Sequence, residues 1–244
     1  MADVNGDGRD EFVLGELVLD GNGQTVFEND FGRHADMVTV ADVIAGGRPE
    51  ILVSVCSTGP AYCLSAQGDV LWQKSKEEVS HGQAIWAGDF IVDEPGNEVV
   101  ILCSGHVGDF ITCRGSDGAT LARFQHRSTY RAYPDMPARV RWLADGSDLL
   151  WIPVDRALVD GRGKVAQTLG PYDREVDDRL RGGSAKSQLP VQAFAADLCG
   201  DEREELVLYQ PYAGEAIYIF TQDAGAREKP YQHSPELYNM RTYF

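Results

Sequence analysis

The stretch Asp3-Val4-Asn5-Gly6-Asp7-Gly8-Arg9-Asp10-Glu11, running directly into Phe12-Val13-Leu14, decides how the rest of the chain is read. Asp3, Asn5 and Asp7 place oxygen-bearing side chains at alternate positions. Gly8 supplies a sharp turn that a residue with a Cβ resists. With the backbone carbonyl of Arg9 and the carboxylate of Glu11, these groups fill positions one, three, five, seven and nine of a loop able to wrap a hard cation. Ca²⁺ is the natural candidate, since it takes about six to eight oxygen ligands. The stretch is not an EF-hand, because that motif needs Glu at the twelfth position, where this chain has Leu14, and a helix on either side. A plain Asp/Asn/Gly turn is the alternative reading.

The skeleton returns in altered form. Asp42 opens a loop ending at Glu50, Asp89 one ending at Glu98, and Asp145 a shortened one ending at Asp148. These are read as turns. The copy at Asp197, Asp201 and Glu205 keeps three oxygen groups, but Cys199 replaces an oxygen ligand and Glu202 replaces the glycine. Each loop is followed by an apolar run: Ile51–Val55, Val99–Leu102, Leu149–Ile152 and Leu206–Leu208. Each unit then carries further short apolar runs and a glycine turn, such as Ala66-Gln67-Gly68, Ser116-Asp117-Gly118 and Asp160-Gly161-Arg162-Gly163.

The result is five units, near residues 1–36, 37–80, 81–138, 139–188 and 189–244. Four short strands per unit of about 40–55 residues is the pattern of β-propeller blades. The fold expected is therefore all-β: a β-propeller of about five four-stranded blades, one unit of residues 1–244. A β-sandwich competes, but it does not account for the fixed order of acidic loop and paired hairpins. The first unit lacks its first strand. Either the C-terminal Leu237–Phe244 supplies it, or the chain is the C-terminal part of a larger, seven- or eight-bladed ring. The second is the reading preferred.

Charge narrows the partners. Thirty-eight Asp and Glu against 22 Lys and Arg leave a net charge of −16, which argues against nucleic acid. No run of apolar residues is long enough to span a membrane. The N-terminus shows no signal peptide, although a secreted or surface-exposed monomer fits the composition. Five cysteines are present; Cys56/Cys63 and Cys103/Cys113 flank turns and could pair across hairpins in an oxidising compartment. Small buried hydrophobes are the preferred reading of all four.

Polar residues gather just before the first strand of several units: Arg33-His34-Ala35-Asp36, Ser80-His81-Gly82-Gln83 and Ser184-Ala185-Lys186-Ser187-Gln188. In a propeller these positions meet at one end of the central channel, where they form a polar ligand pocket. A loop with Tyr130, Arg131 and Tyr133 reaches the same end. The sequence contains no nucleophile elbow, CxxC, HExxH or phosphate-cradling loop.

Lys186 followed by Ala195-Ala196-Asp197-Leu198-Cys199-Gly200-Asp201-Glu202-Arg203-Glu204-Glu205-Leu206-Val207 resembles a stretch of the rhamnogalacturonan lyases of polysaccharide lyase family eleven, with Glu202 standing where that family has Trp. Gly32-Arg33-His34-Ala35-Asp36 resembles its Gly-His-Ala-Asp segment, His233–Tyr238 a late His-Asp-Pro-x-Tyr segment, and Asp3–Glu11 its acidic loops. The resemblance implies an eight-bladed, Ca²⁺-containing propeller with FG-GAP-type calcium loops, and β-elimination on a pectin backbone of alternating rhamnose and galacturonate. It implies a uronate-containing polysaccharide as partner and extracellular action. On it, Lys186 is cast as the base, His34 and His81 as carboxylate, calcium or sugar contacts, and Arg131 as the carboxylate-neutralising group. Asp36, Gln83, Tyr130 and Gln188 are cast as substrate contacts. Asp3, Asn5, Asp7, Arg9, Glu11, Asp197, Asp201 and Glu205 are the metal ligands. The alternatives are a calcium-stabilised propeller that binds glycan or protein without chemistry, and a glycoside hydrolase using an acidic pair.

Overall fold

The computed structural model describes residues 1–57, 59–104, 108–126, 137–170, 191–212 and 216–222, and the backbone of 238–241. These form five antiparallel sheets in chain order. The first holds β1 (Phe12–Val13), β2 (Leu17–Leu19) and β3 (Thr25–Glu28). The second holds β4 (Ala35–Ala41), β5 (Glu50–Val55), β6 (Ala61–Leu64) and β7 (Val70–Lys74). The third holds β8 (Ala84–Gly88), β9 (Glu98–Ser104), β10 (Asp109–Arg114) and β11 (Thr120–Gln125). The fourth holds β12 (Ala138–Val140), β13 (Leu149–Ile152), β14 (Ala157–Val159) and β15 (Val165–Thr168), and the fifth β16 (Gln192–Ala196), β17 (Glu205–Tyr209) and β18 (Tyr218–Phe220). Among these strands, neighbours in sequence are neighbours in space, the outcome expected of short turns between apolar runs. No helix among the described residues is long and apolar enough to cross a membrane.

The sheets stack face to face, and strand alternation explains how. Successive side chains of a strand point to opposite faces. On β5, Ile51, Val53 and Val55 join Val4, Val13 and Val18 of the first unit in one core. Leu52, between them, joins a second core with Trp86, Ile101 and Ile111 of the third sheet and Leu150 and Ile152 of the fourth. On the other face of β13, Leu149 and Trp151 pack with Val140, Leu158, Leu206 and Leu208, tying the fourth sheet to the fifth. The middle strands therefore bury both faces, while the outermost strand β15 is exposed at every residue. First strands of successive sheets touch in the order β4, β8, β12, β16.

A second tie joins the outer edges. Phe27, Trp72 and Phe124 lie on the outermost strands of the first three sheets. Each ring lies against the turn glycine of the next sheet. A Cβ added at Gly68 would stand 2.6 Å from Phe27, at Gly118 2.8 Å from Trp72, and at Gly163 2.5 Å from Phe124. The three glycines also have φ of +85°, +71° and +77°, so backbone and packing demand the same residue. The Trp72 indole N–H donates to the Gly115 carbonyl at 2.7 Å, fixing the ring.

The register decides against two alternatives that the sequence left open and did not favour. The C-terminal strand β19 (Tyr238–Arg241) does not complete the first unit. It pairs antiparallel with β4, Tyr238 opposite Val40 and Arg241 opposite Met37. The first unit's missing strand is represented by Ala2 alone, bridged to Glu11. No disulfide joins the cysteines. Cys63 stands opposite Leu52 and Trp72, and Cys113 opposite Val99 and Thr120, so neither faces its suggested partner. Cys63, Cys103 and Cys113 are buried as small hydrophobes, and burial pushes the Cys103 thiol up to about 12.

Candidate functional site

Two groups of polar side chains recur by unit: one in the acidic loops, one at the start of the first strands. In the first loop, Asp3 Oδ1 accepts from the Gly6 and Asp7 backbone N–H groups at 2.7 and 3.1 Å, and Oδ2 accepts from Gly8 N–H at 2.8 Å. Asp7 accepts from Arg9 N–H at 2.8 Å. The Asp197 loop repeats the scheme: Asp197 accepts from the N–H groups of Gly200, Asp201 and Glu202, and Asp201 from that of Arg203. Glu202 reaches this geometry with φ of +75°, where the first loop has Gly8 at +85°. A non-glycine residue there is strained. The loops differ in charge balance. Arg203 donates through Nε and Nη2 to Asp201, so a side-chain cation already sits on that carboxylate.

Each loop is closed by a buried acid at, or one residue before, the start of the following strand. Glu11 accepts from Val4 N–H at 3.0 Å, and its other oxygen from the Asn5 amide at 2.8 Å. Glu50 accepts from Val43 and Ile44, Glu98 from Phe90 and Ile91, and Glu205 from Leu198 and Cys199. Asp148 takes the equivalent place in the fourth sheet and accepts from Asp89 N–H at 2.9 Å. Capping of loop N–H groups is thus a shared role of these acids, Asp148 reaching the loop of the preceding sheet, and sequence reading assigned that role to none of them. Burial raises the Glu11 carboxyl above the usual range despite the Val4 bond, with Asp7 and Asp3 adding like-charge repulsion. The all-oxygen donor set of Asp3, Asn5, Asp7 and Glu11 suits a hard cation, and that repulsion is what such a cation would relieve.

The second group converges on Asp36. The β4–β5 register shifts between Ala35 and Met37, leaving Asp36 as the extra residue of a bulge. Bulges re-aim side chains next to functional sites. Here the carboxylate turns toward both neighbouring segments: His34 Nε2 lies 3.1 Å from Oδ1 and His81 Nε2 3.2 Å from Oδ2. The Gln83 amide donates to the same Oδ2 at 3.4 Å. Asp36 is 8% exposed, whereas the His34 side chain is 49% exposed, so the cluster has a buried anion and an open mouth.

Backbone contacts hold it. His81 N–H donates to the Cys103 carbonyl and Gln83 N–H to that of Leu102, while Gly82 N–H donates to Val55. A Cβ at Gly82 would stand 2.9 Å from Val55 backbone atoms, so only glycine lets this segment pass. Cys56, whose N–H donates to the His34 carbonyl, completes the group. Its Sγ lies 3.8 Å from His81 Nε2 and 3.0 Å from Ser57 Oγ. Ser57 has φ of +48°, a strained backbone beside the thiol. Burial pushes the Cys56 thiol up, and the Asp36 charge adds to that. Ligating atoms of His34, Asp36 and Cys56 all lie within 4.8 Å of one another, so this cluster can hold a metal ion.

Four of the expected residues, His34, Asp36, His81 and Gln83, are therefore brought together. Cys56 was missed, because in sequence it reads as one side of a hairpin pair. Lys186, Gln188, Tyr130, Arg131 and Tyr133 lie outside the described residues.

Solved structures share the fold, among them three rhamnogalacturonan lyases. The rhamnogalacturonan lyase YesW is 20% identical, with 94% of this chain and 36% of that one aligned at a TM-score of 0.54. A Bacillus licheniformis rhamnogalacturonan lyase of PL11 is 18% identical, with 94% and 36% aligned at 0.60. The exotype rhamnogalacturonan lyase YesX is 19% identical, with 96% and 39% aligned at 0.58. The chain thus spans well under half the length of these relatives. No curated protein matches. Residues 1–235 match the sequence model of rhamnogalacturonan lyase family 11, C-terminal domain, and the chain belongs to that family.

Proposed function

We propose that this chain serves a polysaccharide lyase acting by β-elimination on a uronate-containing backbone of the rhamnogalacturonan type. One observation carries the reading: in a chain of that family, His34, Asp36, His81 and Gln83 converge at one buried carboxylate with an open mouth. The reaction removes the C5 proton to a base, breaks the C4–O bond, leaves a C4–C5 double bond and returns a proton to the departing oxygen. Asp36 holds the two imidazoles where they can donate to a substrate carboxylate or hydroxyl. Donors aimed at the developing charge stabilise the transition state.

Lys186 as base, Arg131 as carboxylate clamp, and Tyr130 and Gln188 as sugar contacts complete the proposal. The five sheets are proposed as consecutive blades of a propeller, acting outside the cell. In the same reading Asp3, Asn5, Asp7, the Arg9 carbonyl and Glu11 hold Ca²⁺, which would bring positive charge to an acidic protein facing a polyanion. The Asp201 carboxylate, already paired with Arg203, makes the Asp197 loop the poorer site.

The test is incubation with rhamnogalacturonan, following the absorbance of the unsaturated product. Asp36→Asn should lower turnover roughly 100-fold, the scale of a lost electrostatic contact. Full activity in that variant overturns the assignment of the cluster. Binding of the polymer with no unsaturated product favours a binding module, and saturated ends with dependence on a carboxylate pair favour a hydrolase.

A further inference from the structure

The series of sheets begins and ends on an exposed apolar face. On the first sheet, Val13 and Val18 point into the core shared with the second. Strand alternation turns Phe12 and Leu19 the other way. These two stand opposite each other, and Phe12 and the adjoining Leu14 are 45% and 44% exposed. On the last sheet, Leu206 and Leu208 point toward the fourth. The reverse face carries one row across three strands, Phe194 opposite Val207 and Val207 opposite Ile219. Phe194 is 46% and Ile219 56% exposed. Large apolar side chains grouped in this way, rather than scattered singly, mark an interaction surface.

The outer edge adds a second observation. Gly23 ends the β2–β3 turn as Gly68 and Gly163 end theirs, its N–H donating to the carbonyl three residues back at 2.9 Å. Its φ is +80°. Gly68, Gly118 and Gly163 are each covered by an aromatic ring of the preceding sheet, but a Cβ at Gly23 would meet nothing within 4 Å. The first sheet therefore keeps the seat that the others offer to a preceding sheet, and keeps it uncovered. We propose that the two end faces form one interface: the last sheet of one copy of this chain packs on the first sheet of a second copy, head to tail. One chain carries both halves of the contact. It repeats the packing that already joins each sheet to the next. Because the halves differ, the contact is heterologous, and each pair keeps a free face at either end unless a ring closes. The net charge of −16 holds copies apart at long range, and salt screens that repulsion while leaving apolar contact intact. The inference does not rest on the lyase reading, since it uses neither the Asp36 cluster nor a substrate.

Sedimentation of the whole chain at increasing salt is the test. The parent should run as a dimer or larger species at micromolar concentration, and more fully as salt rises. Phe12→Glu or Ile219→Glu alone should weaken association roughly 30-fold or more, the scale for an apolar anchor at the centre of an interface. Both positions are about half exposed, so the fold should survive, and an unchanged circular dichroism spectrum checks that it does. An equimolar mixture of the two variants should form a one-to-one pair and stop there, because one keeps its last-sheet face and the other its first-sheet face. A parent that stays monomeric at every salt concentration overturns the proposal. So does an Ile219→Glu chain that associates as well as the parent, which would mean that first-sheet faces pair with each other. A mixture that stays monomeric overturns it too.

Discussion

Single residues at equivalent positions of this chain differ in how fully their buried carboxyls are hydrogen-bonded. Glu11, Glu50, Glu98 and Glu205 all cap loop N–H groups, but Glu98 is fully buried and its Oε1 accepts nothing. Burial raises its carboxyl to about 7, offset in part by the Ile91 and Phe90 bonds and reinforced by Asp89 and Glu94. A carboxyl raised on folding binds its proton more tightly in the native state. Its stabilising contribution is complete below the usual carboxylate range and is lost as pH climbs through about 7. The loss is on the order of 3 kcal/mol. Urea midpoints should therefore fall from pH 5 to pH 8, and Glu98→Gln should flatten the fall. An identical pH profile in the variant would show that Glu98 is ionised throughout. Asp36 sits in a different setting, its carboxyl oxygens within hydrogen-bonding reach of two imidazoles and an amide. Sequence reading found these partners because they recur before successive first strands. It missed Cys56 because its proximity depends on the turn after β5 and the bulge at Asp36, neither of which leaves a local pattern.

Elements repeat more faithfully than residues do. Strand positions were legible because each apolar run is bounded by a glycine turn, and because alternation on β5 and β13 sends neighbouring residues into different cores. The short strand β14 was not read, since Ala157–Val159 is only three residues long. What joins one sheet to the next was not legible either, because an aromatic ring and the glycine it covers belong to different units. Gly118→Ala tests that joint. It meets the Trp72 ring and must also hold φ of +71°. Gly47→Ala meets nothing within 4 Å at φ of +78°, so it reports backbone strain alone. The expected costs are about 1 kcal/mol for Gly47→Ala and about 3 kcal/mol for Gly118→Ala, read from urea unfolding. Equal costs would mean that Trp72 moves aside freely.

Across the whole molecule, stacked sheets need polar registry as well as apolar contact. Arg139 on β12 supplies it, pairing with Asp148 of its own sheet and with Glu204 of the next at 3.4 Å. Asp148 in turn binds the Asp89 backbone of the preceding sheet, and Glu204 accepts from Arg141 N–H at 2.8 Å. Arg139 and Asp148 are 8% and 2% exposed, so removing one partner strands a buried charge. Arg139→Ala should cost about 3–5 kcal/mol in urea unfolding, and Arg139→Met less, because the stem still packs. Equal stability of Arg139→Ala and the parent would refute a linking role. This chain of contacts could not be read from sequence, as its members sit in three units and no spacing connects them.

The pairing of β19 with β4 has a consequence for the protein as it is made. Tyr238 lies opposite Val40, so the two partners leave the ribosome nearly a whole chain length apart. Until then the first strand of the second sheet offers its free N–H and C=O groups to any extended segment nearby. Exposed strand edges of that kind template aggregation. Synthesis of this protein therefore includes an interval in which β4 lacks the strand it pairs with in the finished fold.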